Sequence, residues 1–215
     1  MSVQTLDEIY EGQFGPFTIE QSDRQEVILY RAGLAVAAGS VAIAAVCCLL
    51  SPTFSPVVAT LCYVLLWAGL GLSLFKIHIY LRLLHRVLQA FWAIGGVASI
   101  AIALLYPTPL ALTAYQFPLT IFGIGFTFAA LTGIFFKEAF CFNRLETKFL
   151  AFLVPGLLLG HMSGVLSMAA ERGMLVAIAA LFTVFAIRKV IQPIPPDIGD
   201  KSVFEYLEKE RQQAA

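Results

Sequence analysis

Two long stretches without a charged residue constrain this chain more than any other feature. Residues 32–75 and residues 87–136 contain no Asp, Glu, Lys or Arg. Each stretch is about twice the length of roughly 20 residues that a helix needs to cross the hydrocarbon core of a bilayer. Charged residues make up 13% of the 215 residues and hydrophobic residues 59%, whereas soluble domains are about 25% charged. The sequence therefore predicts an all-α integral membrane protein.

Proline-rich breaks divide the apolar sequence into six predicted spans. The segment SPTFSP at 51–56 divides the first charge-free stretch, and the segment 106–118 divides the second, because proline interrupts the hydrogen bonds of a helix. Two further apolar segments follow the charged segment 137–148. The predicted spans are 32–51, 57–75, 87–106, 117–136, 149–169 and 173–191.

The distribution of Lys and Arg predicts the side that the two tails face. Thirteen of the fourteen basic residues lie in the tails, in the 76–86 and 137–148 connections or at the end of span six, and Arg172 alone lies on the other side. Because basic connections stay in the cytoplasm, both termini are expected to be cytoplasmic, or stromal in a photosynthetic membrane. The predicted organisation is a tail at 1–26, a six-span bundle at 27–191 and a tail at 192–215.

The C-terminal tail is predicted to carry a short amphipathic helix at about 202–212. Ser202 and Glu205 have the spacing of a capping box, in which the two side chains satisfy backbone N–H groups at the start of a helix. A helix this short is marginal alone, so we expect it to dock onto the bundle or onto a partner.

Basic side chains at the span ends are expected to contact anionic lipid headgroups. The segment KIHIYLRLLHR at 76–86 is predicted to form an interfacial helix with one basic face, and the 137–148 connection to repeat this arrangement. Lys189, at the end of span six, is expected to reach the interface through its long stem. The predicted headgroup contacts are His78, Arg82, His85, Arg86, Lys137, Arg144 and Lys148.

Small residues at four-residue intervals predict close helix contacts within the bilayer. Helices in lipid associate through small residues that let their backbones approach. Two stripes of this kind occur, one in span four and one in span five, and we expect them to contact each other or partner helices. Their members are Gly125, Ala129 and Gly133, and Gly156, Gly160 and Gly164.

Residues with the potential for chemistry are few. The first five predicted spans contain no Asp, Glu, Lys or Arg, whereas proton- or ion-driven transporters need an ionisable group within the membrane. Catalysis at Ser163 would need a histidine within hydrogen-bond reach, but His161 is about 200° round the same helix. No catalytic residue and no metal site is predicted, and the formal net charge of zero predicts no nucleic-acid partner.

His161 has two interpretations, because it is predicted to lie near the middle of span five. The first is a neutral histidine hydrogen-bonded to a neighbouring helix. The second is an axial ligand to a tetrapyrrole whose ring lies against Gly160 or Gly164. Chlorophyll fits the second interpretation better than haem b, since no second histidine is predicted at a similar depth.

Several segments together resemble a known family. These segments are YEGQFGPFTI (10–19), KIHIYLRLLHR (76–86), GFTFAALTGIFFKEAFCFNRLETK (125–148) and QPIPPDIGDKSVF (192–204). The chain resembles an integral membrane protein family of cyanobacteria and plastids, which is described as a domain of unknown function. The resemblance implies a thylakoid or plasma membrane and photosynthetic complexes, their pigments and anionic lipids as associates. It supplies no catalytic residues.

Three functions are therefore expected, in order of preference. The first is a non-catalytic subunit or assembly factor of a photosynthetic complex, with photosystem II slightly preferred over photosystem I. The second is a channel or carrier for a small solute, lined by hydroxyl groups such as those of Thr127, Ser163 and Ser167. The third is a chlorophyll- or haem-binding protein that uses His161.

Overall fold

The computed structural model describes residues 9–50 and 55–214. Six helices in these ranges are long and apolar enough to cross a membrane, which confirms the predicted all-α polytopic bundle. Residues 1–8 of the N-terminal tail and 51–54 of the SPTFSP break lie outside the described residues. In chain order the elements are β1 (Ile9–Gly12), β2 (Gly15–Thr18), α1 (Gln21–Leu50), α2 (Pro56–Lys76), α3 (Arg82–Leu105), α4 (Leu110–Gln116), a 3-10 turn (Pro118–Thr120), α5 (Ile121–Phe142), α6 (Leu145–Met162), α7 (Met168–Ile191), α8 (Pro195–Ile198) and α9 (Lys201–Ala214).

The first helix begins eleven residues before the predicted start of span one. Its start is stabilised by Asp23, whose carboxylate accepts a hydrogen bond of 2.8 Å from the backbone N–H of Glu20. An acidic side chain in this position satisfies a free N–H and favours the positive end of the helix dipole. The helix α1 therefore includes residues 21–31, several of which are charged and which precede the charge-free stretch.

No separate interfacial helix forms at 76–86. The second helix ends at Lys76, residues 77–81 are not helical, and Arg82 begins α3. The predicted basic face is divided as a result: His78 lies in the connection, while Arg82 and His85 occupy the first turns of α3. The matching segment at 137–148 is also interrupted, because Asn143 adopts a left-handed conformation with φ of 49°.

The fifth spanning helix ends seven residues earlier than predicted. Gly164 has φ of 69°, its N–H donates to the carbonyl of His161 at 3.0 Å, and the N–H of Val165 donates to Gly160 at 3.2 Å. This pair of bonds is a Schellman motif, which ends helices at a left-handed glycine. Gly164 therefore terminates α6 instead of packing within a span.

The bundle is built from neighbouring antiparallel helices. The α1 helix packs against α2 and α7, α5 packs against α3 and α6, and α6 also packs against α7. The apolar core runs through these contacts and includes fully buried side chains from most of the long helices: Leu34, Leu70, Ile134, Leu150 and Phe182. Both described tails and the 77–81 and 143–144 connections lie at one end of the bundle, which we call the tail end.

The closest approaches between helix backbones involve glycines outside the two predicted stripes. The α1 and α2 backbones meet at Gly33 and Gly69, where a Cβ on Gly69 would lie 2.6 Å from the carbonyl oxygen of Gly33. Between α2 and α3 the contact is reciprocal, with the Trp92 indole against Gly71 and the Trp67 indole against Gly96. The two rings stack at 4.4 Å. Because glycine has no side chain, it leaves room at these positions for a neighbouring backbone or an indole ring, as in small-residue packing between membrane helices.

The predicted stripes have a different arrangement. Gly125 contacts only a side chain of its own helix, and Ala129 is exposed. Gly133 packs against Leu88 of α3, while Gly156 faces Met174 and Gly160 faces Leu166. The two stripes therefore do not meet each other, because α5 and α6 face one another with larger side chains.

Both tails are ordered against each other at the tail end. The β1 and β2 strands pair antiparallel, with Tyr10 opposite Phe17. The start of α9 is capped by Asp200, whose carboxylate accepts from the N–H of Ser202 at 2.9 Å, so the capping residue precedes the predicted capping box. Phe14 of the hairpin turn stacks on Tyr206 of α9 with ring centroids 4.0 Å apart.

Candidate functional site

A buried ion network at the tail end is the most unusual feature of the described residues. Its centre is the Lys189 ammonium, which donates to Glu138 Oε2 at 2.6 Å and also contacts Asp197 Oδ1. The three side chains are 0%, 0% and 1% exposed. Charged side chains are expensive to bury unless they are paired and hydrogen-bonded, so the two carboxylates depend on the ammonium between them and the ammonium depends on both.

Arg31 supplies the second cation of the network. Its Nε and Nη2 atoms both donate to Asp197 Oδ2, at 2.9 and 2.7 Å, and hydrogen bonds between charged groups are stronger than neutral ones. Its Nη1 donates to the carbonyl of Gln192 at 2.7 Å and its Nη2 to that of Pro193 at 2.8 Å. These carbonyls follow the end of α7, so Arg31 of α1 also holds the start of the C-terminal tail.

Lys137 and two aromatic rings complete the centre. Lys137 Nζ lies 2.9 Å from Glu138 Oε1, and the Tyr30 hydroxyl donates to the same oxygen at 3.0 Å. The Lys189 ammonium lies 4.0 Å from the centroid of the Phe142 ring and 5.6 Å from that of Tyr30. Aromatic faces attract cations, so the rings both exclude water and stabilise the ammonium.

An outer group of charges surrounds the side of the network nearest α6. The Arg144 guanidinium contacts the side-chain oxygen of Gln192, and the Gln192 amide donates to Asp197 at 3.2 Å. Glu146 accepts from Arg188 at 3.0 Å and lies 3.9 Å from Arg144. Arg144 and Glu146 are buried, so the network extends from α1 across α5 and α7 to the start of α6.

The central charges do not balance. Arg31, Lys137 and Lys189 carry three positive charges, and Glu138 and Asp197 carry two negative ones. Asp197 is the only one of these five groups that lies in the C-terminal tail. The tail therefore provides half of the negative charge that the buried cations need, which makes this arrangement suited to holding the tail rigidly against the bundle.

The depth of the network explains how it is tolerated. Glu138 lies four residues before the end of α5 and Lys189 two residues before the end of α7, within about 6 Å of the helix ends along their axes. The ions are therefore sealed from water by α8 and by Phe142 at the tail end. The predicted absence of charge from the middle of the spans is unaffected.

Two predicted headgroup contacts lie in this network instead. Lys137 and Arg144 side chains are each 9% exposed, because Glu138 and Gln192 draw them inward. Lys189, which was expected to reach the interface, points into the bundle and is fully buried. The neighbouring Arg188 is 55% exposed. The long stems of these residues allow their charged groups to point outward to the interface or inward to the bundle. The buried carboxylates determine which direction is taken.

The remaining predicted headgroup contacts lie closer to the surface. His78 Nε2 lies 3.6 Å from Glu26, and burial lowers its pKa below the ordinary value although Glu26 and Asp23 oppose that shift. Lys148 is exposed and donates to the side chain of Asn143 at 2.6 Å. Arg82, His85 and Arg86 line one shallow pocket together with Gln89.

His161 lies in the last turn of α6, not in the middle of a span. Its Nδ1 lies 2.7 Å from Glu171 of α7, its Nε2 lies 3.2 Å from the carbonyl of Tyr115, and its ring stacks on Tyr115. The first interpretation, a neutral histidine hydrogen-bonded to a neighbouring helix, stays a prediction, and a tetrapyrrole would have to displace one of the two partners.

Sequence reasoning did not identify the main members of the network. The sequence predicts Arg31 near the N-terminal tail, Lys189 at the end of span six and Asp197 in a proline-rich segment. It assigns no role to Tyr30. One signal was available: Asp197 follows three prolines in an otherwise apolar QPIPPDI segment, where a lone acid suggests a buried partner. The described residues contain no group of three or more His, Cys, Asp or Glu that could hold a metal ion.

Comparisons with known proteins give one match. A family model described as an uncharacterised integral membrane protein (DUF2301) matches residues 72–206. The matched segment includes Lys137, Glu138, Lys189 and Asp197, whereas Tyr30 and Arg31 precede it. No curated protein and no solved structure matches the chain significantly.

Proposed function

The chain belongs to the DUF2301 family of uncharacterised integral membrane proteins, whose model matches more than half of its length, and we propose that it is a non-catalytic accessory or assembly subunit of a larger membrane complex. The sequence resemblance to proteins of cyanobacteria and plastids directs this proposal to a photosynthetic complex of the thylakoid or plasma membrane. Photosystem II is the first candidate and photosystem I the second.

The observation that carries the proposal is an ordered surface outside the spans. We call it the tail platform: the β1–β2 hairpin, residues 77–81 and α9. The N–H of Gln13 donates to Asp200 at 2.7 Å, and the N–H of Phe14 donates to Ser202 at 3.0 Å. Tyr80 of the connection packs on Phe204 with centroids 4.5 Å apart. Three segments far apart in sequence thus form one preorganised surface, which lowers the entropic cost of binding a partner.

The platform is also joined to the bundle by charge. Lys201 at the start of α9 lies 2.8 Å from Asp23 at the start of α1, and Asp197 in the preceding turn is held by the ion network. A partner that binds the platform is therefore connected to the whole bundle. This is the mechanical requirement for a subunit that positions or stabilises its neighbours.

The platform presents aromatic surface where a membrane does not cover it. Phe14 is 47% exposed and Tyr206 38% exposed, although the two rings stack on each other. Ile9, on the adjacent strand, is 72% exposed. Aromatic side chains are enriched at protein interfaces and supply much of their binding energy, so this edge is the proposed contact with the complex.

The solute-carrier alternative receives less support from the polar groups expected to line its path. The Thr127 hydroxyl is 2.9 Å from that of Tyr63, Ser163 donates to Leu159 of its own helix, and Ser167 accepts from the N–H of Ala170. Each hydroxyl is used in local packing or capping. The tetrapyrrole alternative would require His161 to give up a partner, as described above.

The proposal is tested by native separation of membranes from a strain that carries a tagged copy. We expect the wild-type chain to migrate with a large complex, and the double variant Phe14→Ala/Tyr206→Ala to shift towards the free protein. The matched control is Phe152→Ala, since Phe152 is a comparably large side chain, 72% exposed on the spanning helix α6. Migration of the wild-type chain only as a free small protein would contradict the proposal.

A further inference from the structure

The pocket at the start of α3 has a charge that the protein does not neutralise. Arg82, His85, Arg86 and Gln89 line it, at positions that share one face of the helix. Arg82 pairs with Glu208 of α9 at 2.8 Å. The Arg86 guanidinium has only the Gln89 side-chain oxygen, at 3.3 Å, and no carboxylate partner among the described residues. One full positive charge in the pocket is therefore unpaired.

Two of the four lining residues are held by the end of α2. His85 Nε2 lies 2.5 Å from the carbonyl of Leu74, and the Gln89 amide lies 3.5 Å from the same oxygen. Leu74 belongs to the last turn of α2, whose carbonyls have no partners within the helix. These contacts fix the wall of the pocket and leave the two arginines as its ligand-facing cations.

The surroundings of the pocket indicate a lipid and not a soluble anion. Beside the basic face, α3 exposes Leu83 at 77%, with Leu84 at 37% and Val87 at 36%. The same helix continues as an apolar span to Leu105. A spanning helix that begins with two arginines and exposed leucines places cations at headgroup depth and aliphatic side chains at acyl-chain depth. A free anion would use only the charged half of this surface.

We propose that this pocket binds the phosphate of an anionic phospholipid, with Glu208 competing for Arg82. The phosphodiester would bind Arg86 directly. It would bind Arg82 by displacing the Glu208 carboxylate. The exchange is feasible because Arg82 and Glu208 are 60% and 55% exposed, and exposed ion pairs are weak. Occupancy by lipid would thus loosen α9 from the start of α3, which links the tail platform to the local lipid composition.

The test measures lipid retained by the purified full-length protein after delipidation. Native mass spectrometry would follow titration with a phosphatidylglycerol and, separately, with a phosphatidylcholine of the same acyl chains. We expect the wild-type protein to prefer phosphatidylglycerol. The variant Arg82→Gln/Arg86→Gln should lose about 25-fold in this affinity, at about fivefold for each basic residue.

Two further variants test the competition by Glu208 and the specificity of binding for the pocket. Glu208→Gln removes the competing carboxylate and should raise the affinity by up to about fivefold. Arg24→Gln/Arg172→Gln removes the same charge outside the pocket and should leave the affinity unchanged. The circular dichroism and melting temperature of all variants would show that each is folded, as expected for exposed or half-exposed positions.

Two results would overturn the proposal. One is equal retention of phosphatidylglycerol by the wild-type protein and by the pocket variant, which would mean that the lipid binds elsewhere or without specificity. The other is binding of inorganic phosphate with the same dependence on Arg82 and Arg86 but no preference for phosphatidylglycerol, which would identify a site for soluble phosphate.

Discussion

Two polar regions inside this protein are built in opposite ways. At the tail end, full charges from α1, α5, α7 and α8 are buried together. Farther along the helices, α2, α3 and α5 meet through neutral groups: the Tyr63 hydroxyl lies 2.6 Å from that of Ser99 and 2.9 Å from that of Thr127. Tyr63 is thirteen residues from the end of α2, about 20 Å along the helix axis. In these two regions the buried charges lie near the helix ends, whereas α2, α3 and α5 meet through neutral hydrogen bonds deeper in the bundle.

The indoles of Trp67 and Trp92 belong to the neutral region. Trp92 Nε1 donates to the carbonyl of Trp67 at 2.8 Å, and Trp67 Nε1 donates to that of Trp92 at 3.1 Å. Each ring lies over a glycine of the facing helix. Such neutral contacts average about 0.6 kcal/mol in membrane bundles, whereas breaking a buried ion pair costs about 3–5 kcal/mol. The comparison therefore predicts that stability is concentrated where the tail meets the bundle.

The largest effect is expected for Asp197→Asn. This change leaves Arg31 and Lys189 with Glu138 as the remaining central carboxylate, and the loss should be about 3–5 kcal/mol. The measurement is the free energy of unfolding in mixed detergent and SDS. Lys189→Met should cost less, because Arg31–Asp197 and Lys137–Glu138 then remain as two balanced pairs. Equal losses for the two variants would mean that the charge balance does not govern this region.

The next effect is expected for Gly33→Ala, which tests packing without charge. A side chain here would be forced against the backbone of Gly69, and overpacking typically costs about 1–3 kcal/mol. Gly39→Ala on the same helix is the control, since nothing lies within 4 Å of its Cβ position and alanine favours helix formation. The same unfolding assay should show Gly33→Ala destabilised and Gly39→Ala unchanged or slightly stabilised.

A smaller effect is expected for Tyr63→Phe in the neutral region. The change removes the hydroxyl that joins Ser99 and Thr127 but keeps the ring. The expected loss is about 0.6 kcal/mol and no more than about 1.7 kcal/mol, the range measured for hydrogen bonds between membrane helices. A loss as large as that of Asp197→Asn would remove the distinction between the two regions.

The smallest effect is expected from the titration of His78 in the tail platform. Burial lowers the pKa of His78, while Glu26 and Asp23 act to raise it and Lys137 and Lys201 to lower it further. Because the folded protein favours the neutral imidazole, this contribution to stability is complete above the unfolded pKa of about 6.5. It is lost as the pH falls through the lower folded value. Two-dimensional NMR of labelled histidines would follow the titration, and His78→Gln should flatten the melting temperature between about pH 6.5 and 5.

Much of the fold was predictable because it depends on summed local properties. The six spans follow from stretches without charge, and the break after α4 follows from its prolines. Helix ends were less predictable, since capping by Asp23 and termination at Gly164 depend on single hydrogen bonds. The small-residue stripes do not meet each other, and Gly133 and Gly156 face α3 and α7 instead, because spacing shows which residues share a face but not which helix lies opposite that face.

The candidate site was the least predictable part. Lys137 and Arg144 have the sequence signature of interfacial residues, and nothing local distinguishes them from Lys148, which is exposed. Lys137 pairs with Glu138, the next residue on α5, and Arg144 contacts Gln192, which follows α7. Glu138 is itself buried against Lys189 of α7. The exposed pair of Arg82 and Glu208 joins residues 126 positions apart, which no local pattern relates.

The sequence by itself determined that the chain enters a membrane, how often it crosses, and that its charges gather with both tails at one end of the bundle. These properties are sums of transfer free energies over neighbouring residues, so order along the chain is sufficient information. Only the tertiary structure decided which charges face lipid and which are buried, because the energy of an ion depends on partners within a few ångströms. For Lys189 those partners come from α5 and α8, which meet only when the bundle has folded.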